Sequence, residues 1–223
     1  MVIRAPARPA TRTSPPVRSA VPEGHAHLRS ACGQVIPLHV PRWFDEPGPD
    51  ERAALDEAVS PALDIGCGPG RHTLALNARG IETLGVDDAP ASVRAARRRG
   101  APVLHRSVFD PLPGEGSWGS VLLLDGNIGI GGDPAALLHR VRELLRPGGR
   151  ALLELGPPGT ATERLIVRPH AGAHGWLPWA ASAKFDWATV GVDDLEHLSS
   201  GAGFRVDRAW NAGDRWFARV DAT

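Results

Sequence analysis

Tyrosine is absent from the 223 residues, lysine occurs once, at Lys184, and cysteine twice, at Cys32 and Cys67. Two cysteines cannot build a disulfide framework, and Cys67 lies inside a glycine turn that a bridge would distort, so a reducing, cytoplasmic setting is expected. No run approaches the about 20 apolar residues of a membrane span, and the first residues lack the apolar stretch of a signal peptide, so no membrane partner is expected. Charge of one sign is lacking too. The 25 basic and 25 acidic residues cancel, which leaves no overall basic field for nucleic acid. The preference for arginine over lysine fits a GC-rich, bacterial genome, and individual arginines carry no functional weight on that account. With 42% apolar residues the chain can bury one full core.

The opening stretch MVIRAPARPATRTSPPVRSAVPEG mixes arginine, proline and small residues, with no acid before Glu23. It cannot bury enough apolar surface to fold, so residues 1–36 are expected to be a disordered or loosely attached tail and residues 37–223 the folded domain. His25, His27, Cys32 and His39 follow no zinc-site spacing, and no metal site is expected.

From about residue 40, strand and helix signals alternate, as in a parallel sheet with helices on both faces. PDERAALDEAV reads as a helix capped by Asp50. PALDIG (61–66), IETLGVD (81–87), APVLHRSV and SVLLLD (120–125) read as strands, separated by helices that end at Gly80 and before Gly100. The clearest helix is capped by Asp133, with Pro134 in its first turn, an apolar stripe of Leu137, Leu138, Val141, Leu144 and Leu145, and a stop at Pro147-Gly148-Gly149. RALLEL (150–155) is a fifth strand and VDDLEHLSSGAG a short helix. FRVDRAW and RWFARV then form a terminal hairpin around NAGD.

The most informative segment is LDIGCGPGRHT (63–73), an apolar strand that breaks into Gly66, Gly68 and Gly70. Glycine tolerates both a tight turn and the close approach of a ligand, and the amides of a helix beginning near Arg71 face the same spot. The dinucleotide fingerprint needs its third glycine where Arg71 stands, so GxGxxG fails. What holds is (D/E)xGxGxG, from Asp64 to Gly70. This segment resembles the nucleotide-binding loop of class I S-adenosylmethionine-dependent methyltransferases. The element order, with RPGG before the fifth strand and a closing hairpin, is similar to that family over roughly residues 50–220.

The resemblance implies a Rossmann-like, mostly parallel seven-stranded sheet whose last strand is antiparallel and inserted between the fifth and sixth. It implies S-adenosyl-L-methionine as cofactor, bound by Asp64, Gly66, Cys67, Gly68, Gly70 and Arg71. At the end of the second strand, Asp87 would accept the ribose hydroxyls. The alternatives are that Asp88 does so, or that both cap the next helix. After the third strand, Ser107, Val108 and Phe109 map to the adenine. Many relatives have Asp where Val108 stands, which leaves the adenine amine to Ser107 or Asp110, and Phe109 is either an adenine wall or core. LDGNIGIGGD after the fourth strand is rich in glycine, so Asp125, Gly126 and Asn127 are expected to face the methionine part of the cofactor or the acceptor, the other reading being a flexible loop. The (D/N/S)PP(Y/F/W) motif of nucleic-acid amino-methylating enzymes is absent.

Residues 157–190 form a long insert with Trp176, Trp179, Trp187, Phe185, His170 and His174. It reads as a substrate cap or as glue for an added hairpin. Methyl transfer from an activated sulfonium needs mainly alignment, and a base only if the acceptor arrives protonated. His170, His174 and Asp125 are the catalytic candidates, with Glu154 and Asp186 behind them. The expected function is methyl transfer to O, N, S or C of a small molecule such as a secondary metabolite. The alternatives are a cofactor-binding regulatory protein, or a non-methylating enzyme on the same fold. The oligomeric state is not read from the sequence.

Overall fold

The computed structural model describes residues 25–172, 175–178 and 183–223, so residues 1–24, His174 and Trp179 lie outside it. Its first elements are β1 (His27–Ser30), β2 (Val35–Pro37), a 3-10 turn at Val40–Phe44 and α1 (Pro49–Leu55). The alternating part runs β3 (Ala62–Ile65), α2 (Arg71–Asn77), β4 (Thr83–Asp87), α3 (Pro90–Arg98), β5 (Val103–His105) and β6 (Trp118–Leu123). A 3-10 segment at Asn127–Gly132 leads to α4 (Pro134–Leu144) and β7 (Leu145–Leu155). There follow β8 (Glu163–His170), β9 (Phe185–Thr189), α5 (Leu195–Gly201), β10 (Phe204–Ala212) and β11 (Arg215–Ala222).

Seven strands form one sheet in the order β10-β11-β7-β6-β3-β4-β5. β3 to β7 are parallel, and β11 lies antiparallel between β7 and β10, as expected of the closing hairpin. Side chains alternate across the sheet because a strand's period is two. Val121, Leu123, Ala151 and Leu153 face a core shared with Leu137, Leu138 and Val141 of α4, while Leu122, Leu152 and Phe217 face Ala54 and Leu55 of α1 and Leu76 of α2. Asp133 caps α4 by accepting from the Ala136 N–H. At α1 the cap is Gly48 rather than Asp50: the Gly48 N–H donates to Glu51 Oε2 at 2.9 Å, so Glu51 closes the first turn. The RPGG turn lies inside β7, where the pairing with β6 shifts register between Trp118 and Ser120.

A second, four-stranded antiparallel sheet has the order β2-β1-β8-β9. Its first two strands correct the expected tail, since residues 27–37 are strand and turn rather than unstructured. Leu28 is fully buried against Leu165 and Val167 of β8, a partner that local composition cannot reveal. The insert therefore contributes β8 and β9. β9 rests on the 3-10 segment after β6: a Cβ on Gly129 would lie 2.1 Å from the Ala188 carbonyl, and one on Gly132 2.9 Å from Asp186 Cβ. Among the described residues, no helix is long and apolar enough to cross a membrane.

Candidate functional site

The glycine turn leaves β3 at the carboxyl end of the parallel sheet. Gly66, Gly68 and Gly70 have φ of 66°, 55° and 82°, a region that costs residues with a Cβ. The three glycines do different things. Gly66 packs against Asn127, whose amide donates to the Ile65 and Gly66 carbonyls at 2.9 and 3.0 Å. Gly68 faces open space, and Gly70 presses on Ala101 of the α3–β5 connection. Gly66, Cys67, Gly68 and Arg71 line a cavity that Asp64 and Gly70 do not reach. Asp64 works from behind, accepting from the Thr73 N–H and hydroxyl at 3.1 and 2.7 Å, so it ties β3 to α2 instead of touching a ligand. Burial raises the Cys67 thiol well above its ordinary range and keeps it protonated.

Asp87 ends β4 beside the glycine turn and lines the same cavity. Its Oδ2 accepts from the Gly68 N–H at 2.9 Å and its Oδ1 from the Ala89 N–H at 2.8 Å. Burial pushes this carboxyl up to about 6, against the pull of those two donors. Each oxygen keeps a spare lone pair. Asp88 also lines the cavity, as do Ser107 and Val108. Phe109 does not. It is 46% exposed and packs on Gly131 outside the cavity, so neither the adenine-wall nor the core reading fits it.

Across the cavity lies a charged network that periodicity did not reveal. Glu51 of α1, fully buried, pairs with Arg71, and Arg71 Nη2 reaches both oxygens of Asp125 at 2.7 and 2.6 Å. Arg215 of β11 joins Glu51, Asp125 and Glu154. His72 Nε2 lies 3.2 Å from Glu51 Oε1. Burial would raise the Glu51 carboxyl, but the His72 hydrogen bond, the Arg71 charge and the Gly48 N–H outweigh it and hold it at about 2. Ligand atoms of Glu51, His72 and Asp125 lie within 4.8 Å of one another, and the Arg71 guanidinium bonds to two of the three, Glu51 and Asp125. Asp125 is thus engaged twice by arginine, in a left-handed backbone conformation (φ 56°), and not a free base. The clue in the sequence was the pair Arg71-His72 directly after the glycines. Its side chains matter as much as its amides.

The outer wall holds Leu38, Trp43, Pro178 and Trp187. At Gly126, expected to face a ligand, an added β-carbon would lie 3.9 Å from Trp187, and at the other glycines of that loop it would meet the second sheet or Phe109. The loop is glycine-rich because another sheet lies on it. His170, one of the catalytic candidates, is exposed in β8 and stacks on His27 at 4.8 Å, away from the cavity. The other candidate histidine, His174, lies outside the described residues.

Residues 62–149 match the family model described as a methyltransferase domain. A ubiquinone biosynthesis O-methyltransferase of Cereibacter sphaeroides is 30% identical over 153 residues, covering 66% of this chain and 61% of the relative. The trans-aconitate 2-methyltransferase of Methylobacterium radiotolerans is 32% identical over 133 residues, covering 56% of this chain and 48% of the relative. The chain thus spans less than two thirds of the length of these relatives. Among solved structures, a SAM-dependent methyltransferase from Bacteroides fragilis in complex with S-adenosyl-L-homocysteine superposes with a TM-score of 0.72 at 23% identity, covering 91% of this chain and 90% of that one. The 1,6-didemethyltoxoflavin-N1-methyltransferase of Burkholderia thailandensis gives a TM-score of 0.58 at 20% identity, covering 83% of each chain.

Proposed function

We propose that this chain is a class I S-adenosylmethionine-dependent methyltransferase and transfers the methyl group of S-adenosylmethionine to a small molecule, a reading supported by the methyltransferase-domain match and by the shared fold. The observation that carries this is Asp87. A buried carboxylate at the end of β4, pinned by the Gly68 and Ala89 amides and keeping one free lone pair on each oxygen, is built to accept two neighbouring hydroxyls. The rest of the cradle fits the cofactor. Backbone at Gly68 is bare towards open space, and Ser107 and Val108 line the side where an adenine would lie.

When bound, the sulfonium supplies an activated methyl group, and this chain's residues supply position. Asn127 clamps the end of β3 and so fixes the glycine turn. The network of Glu51, Arg71, Asp125 and Arg215 holds α1, α2 and the loop after β6 in register, which sets the width of the cavity. Trp43, Trp187, Leu38 and Pro178 offer an apolar wall to a small acceptor and exclude water. Residues 157–190 act as a cap on that side, with β1 and β2 as its support. Free Cys32 and Cys67 suit the reducing cytoplasm. Calorimetry of the full chain with S-adenosylmethionine and S-adenosylhomocysteine tests the reading. Binding of both is expected, and no binding at high micromolar concentration overturns it.

A further inference from the structure

We infer that His72 takes the proton from a hydroxyl acceptor during transfer. The inference rests on the transfer function proposed above and adds to it a catalytic side chain and a class of acceptor.

The argument begins with Glu51. Its carboxylate accepts from Arg71 and from the Gly48 N–H, and Arg215 Nη1 lies 2.9 Å from Oε1. Surrounded in this way it is an anion, and an anion only accepts. The hydrogen between it and His72 must then sit on His72 Nε2, which fixes the tautomer and leaves Nδ1 with a bare lone pair. Among the described residues, Nδ1 has no hydrogen-bond partner, and it is not among the buried polar atoms that lack one. It therefore keeps some accessible surface, and His72 is among the residues that line the cavity. A base oriented through its far nitrogen by a carboxylate, with its near nitrogen open to a substrate cavity, is the arrangement that activates hydroxyl nucleophiles.

The surrounding charges do not cancel this role. Around His72 stand Glu51 and Asp50 on α1, Arg71 on its own helix, Asp125 after β6, Glu154 on β7, Arg215 on β11, Arg42 in the 3-10 turn, and Asp64 on β3. Five carboxyl groups face three guanidiniums, burial pushing that of Glu154 up to about 8, and Glu51 is the charged group bonded to the ring. An added proton meets an anion in contact.

The acceptor class follows from what a base is for. A neutral amine already presents a free electron pair, whereas a hydroxyl, like a thiol, must lose its proton as it attacks. In the step, the acceptor's O–H bond breaks towards His72 Nδ1 and its electron pair forms the new O–CH3 bond. The pair of the breaking S–CH3 bond stays on sulfur, leaving a neutral thioether and an imidazolium against Glu51.

Two measurements test this on the full chain. In protein labelled with 15N-histidine, with the His72 signals identified by their loss in His72→Gln, the neutral imidazole is expected to carry its hydrogen on Nε2 and not on Nδ1. A ring protonated at Nδ1 alone would overturn the proposal, whatever the acceptor. In the second, S-adenosylmethionine is supplied with a panel of simple phenols and anilines. His72→Gln is expected to lower phenol methylation about 100-fold or more, while S-adenosylhomocysteine still binds. Unchanged turnover of phenols, or transfer to anilines and not to phenols, would refute it. Failure of wild-type protein to bind S-adenosylhomocysteine would instead refute the underlying transfer function, and the tautomer would still report on His72.

Discussion

A β-carbon at residue 66 would stand 2.7 Å from the Asn127 amide nitrogen, whereas one at residue 68 would meet nothing within 4 Å. Both residues have positive φ, so alanine at either costs about 1–2 kcal/mol of backbone strain. Gly66→Ala should cost a further ~1–3 kcal/mol because it displaces the amide that satisfies two carbonyls. Thermal unfolding checks this, and equal losses for the two variants would contradict the distinct roles. In the proposed ribose role, Asp87→Ala would remove two charge-assisted hydrogen bonds, each worth about 1.5–3 kcal/mol, so affinity for S-adenosylhomocysteine should fall by roughly 100-fold or more. Because burial lifts the Asp87 carboxyl to about 6, and only the anion accepts two hydroxyls on two oxygens, affinity should drop as pH falls below about 6. Calorimetry from pH 5 to 8 reads the slope, and a flat profile would remove Asp87 from the ribose. At this scale the sequence was legible wherever function follows from position on a strand. Asp87 ends β4, and the glycines follow β3. Glu51 and His72 were not legible, because their meeting depends on how α1 and α2 face each other, and neither helix is long enough for its period to say.

At the scale of elements, the parallel sheet was readable because each strand carries its own turn signal and the closing hairpin joins neighbours in the chain. The second sheet was not readable. Leu28 finds its burial partners, Leu165 and Val167, only when β1 lies antiparallel to β8, and nothing near residue 28 announces a strand so remote. The same blind spot misassigned the glycines after β6, which accommodate β9 and Phe109 as neighbours. This arrangement predicts separable stability. Leu28→Ala opens a cavity in the small three-residue core, at a cost of about 2–5 kcal/mol. The loss should stay in β1, β2, β8 and β9. Hydrogen exchange should quicken in those strands while β3 and β6 keep their protection. Uniform acceleration would mean that the two sheets unfold as one unit.

For the molecule as a whole, the charged network joins elements far apart in the chain, and its pH response therefore reports on the entire fold. Glu51 is held at about 2 against an ordinary 4.5. The folded state thus binds fewer protons at this site than the unfolded chain between those values. Its contribution is present above about pH 4.5 and is lost as pH falls through about 2, on the order of 3 kcal/mol from 1.36 kcal/mol per unit. Asp87 acts in the opposite sense. Raised to about 6 from 3.8, it binds more protons when folded, so its contribution is present below about 3.8 and is lost as pH rises through 6. In the ligand-free protein, Glu51→Gln should be less stable than wild type above about pH 4.5, and the difference should shrink as pH falls towards 2. Asp87→Asn should gain relative to wild type above pH 6 and lose that advantage below pH 4. Chemical denaturation of the three proteins from pH 3 to 8, compared as differences so that other groups cancel, reads both effects. If Glu51→Gln is as stable as wild type at pH 7, the network does not hold α1 to α2 and β11, and the cavity it borders is set by hydrophobic packing alone.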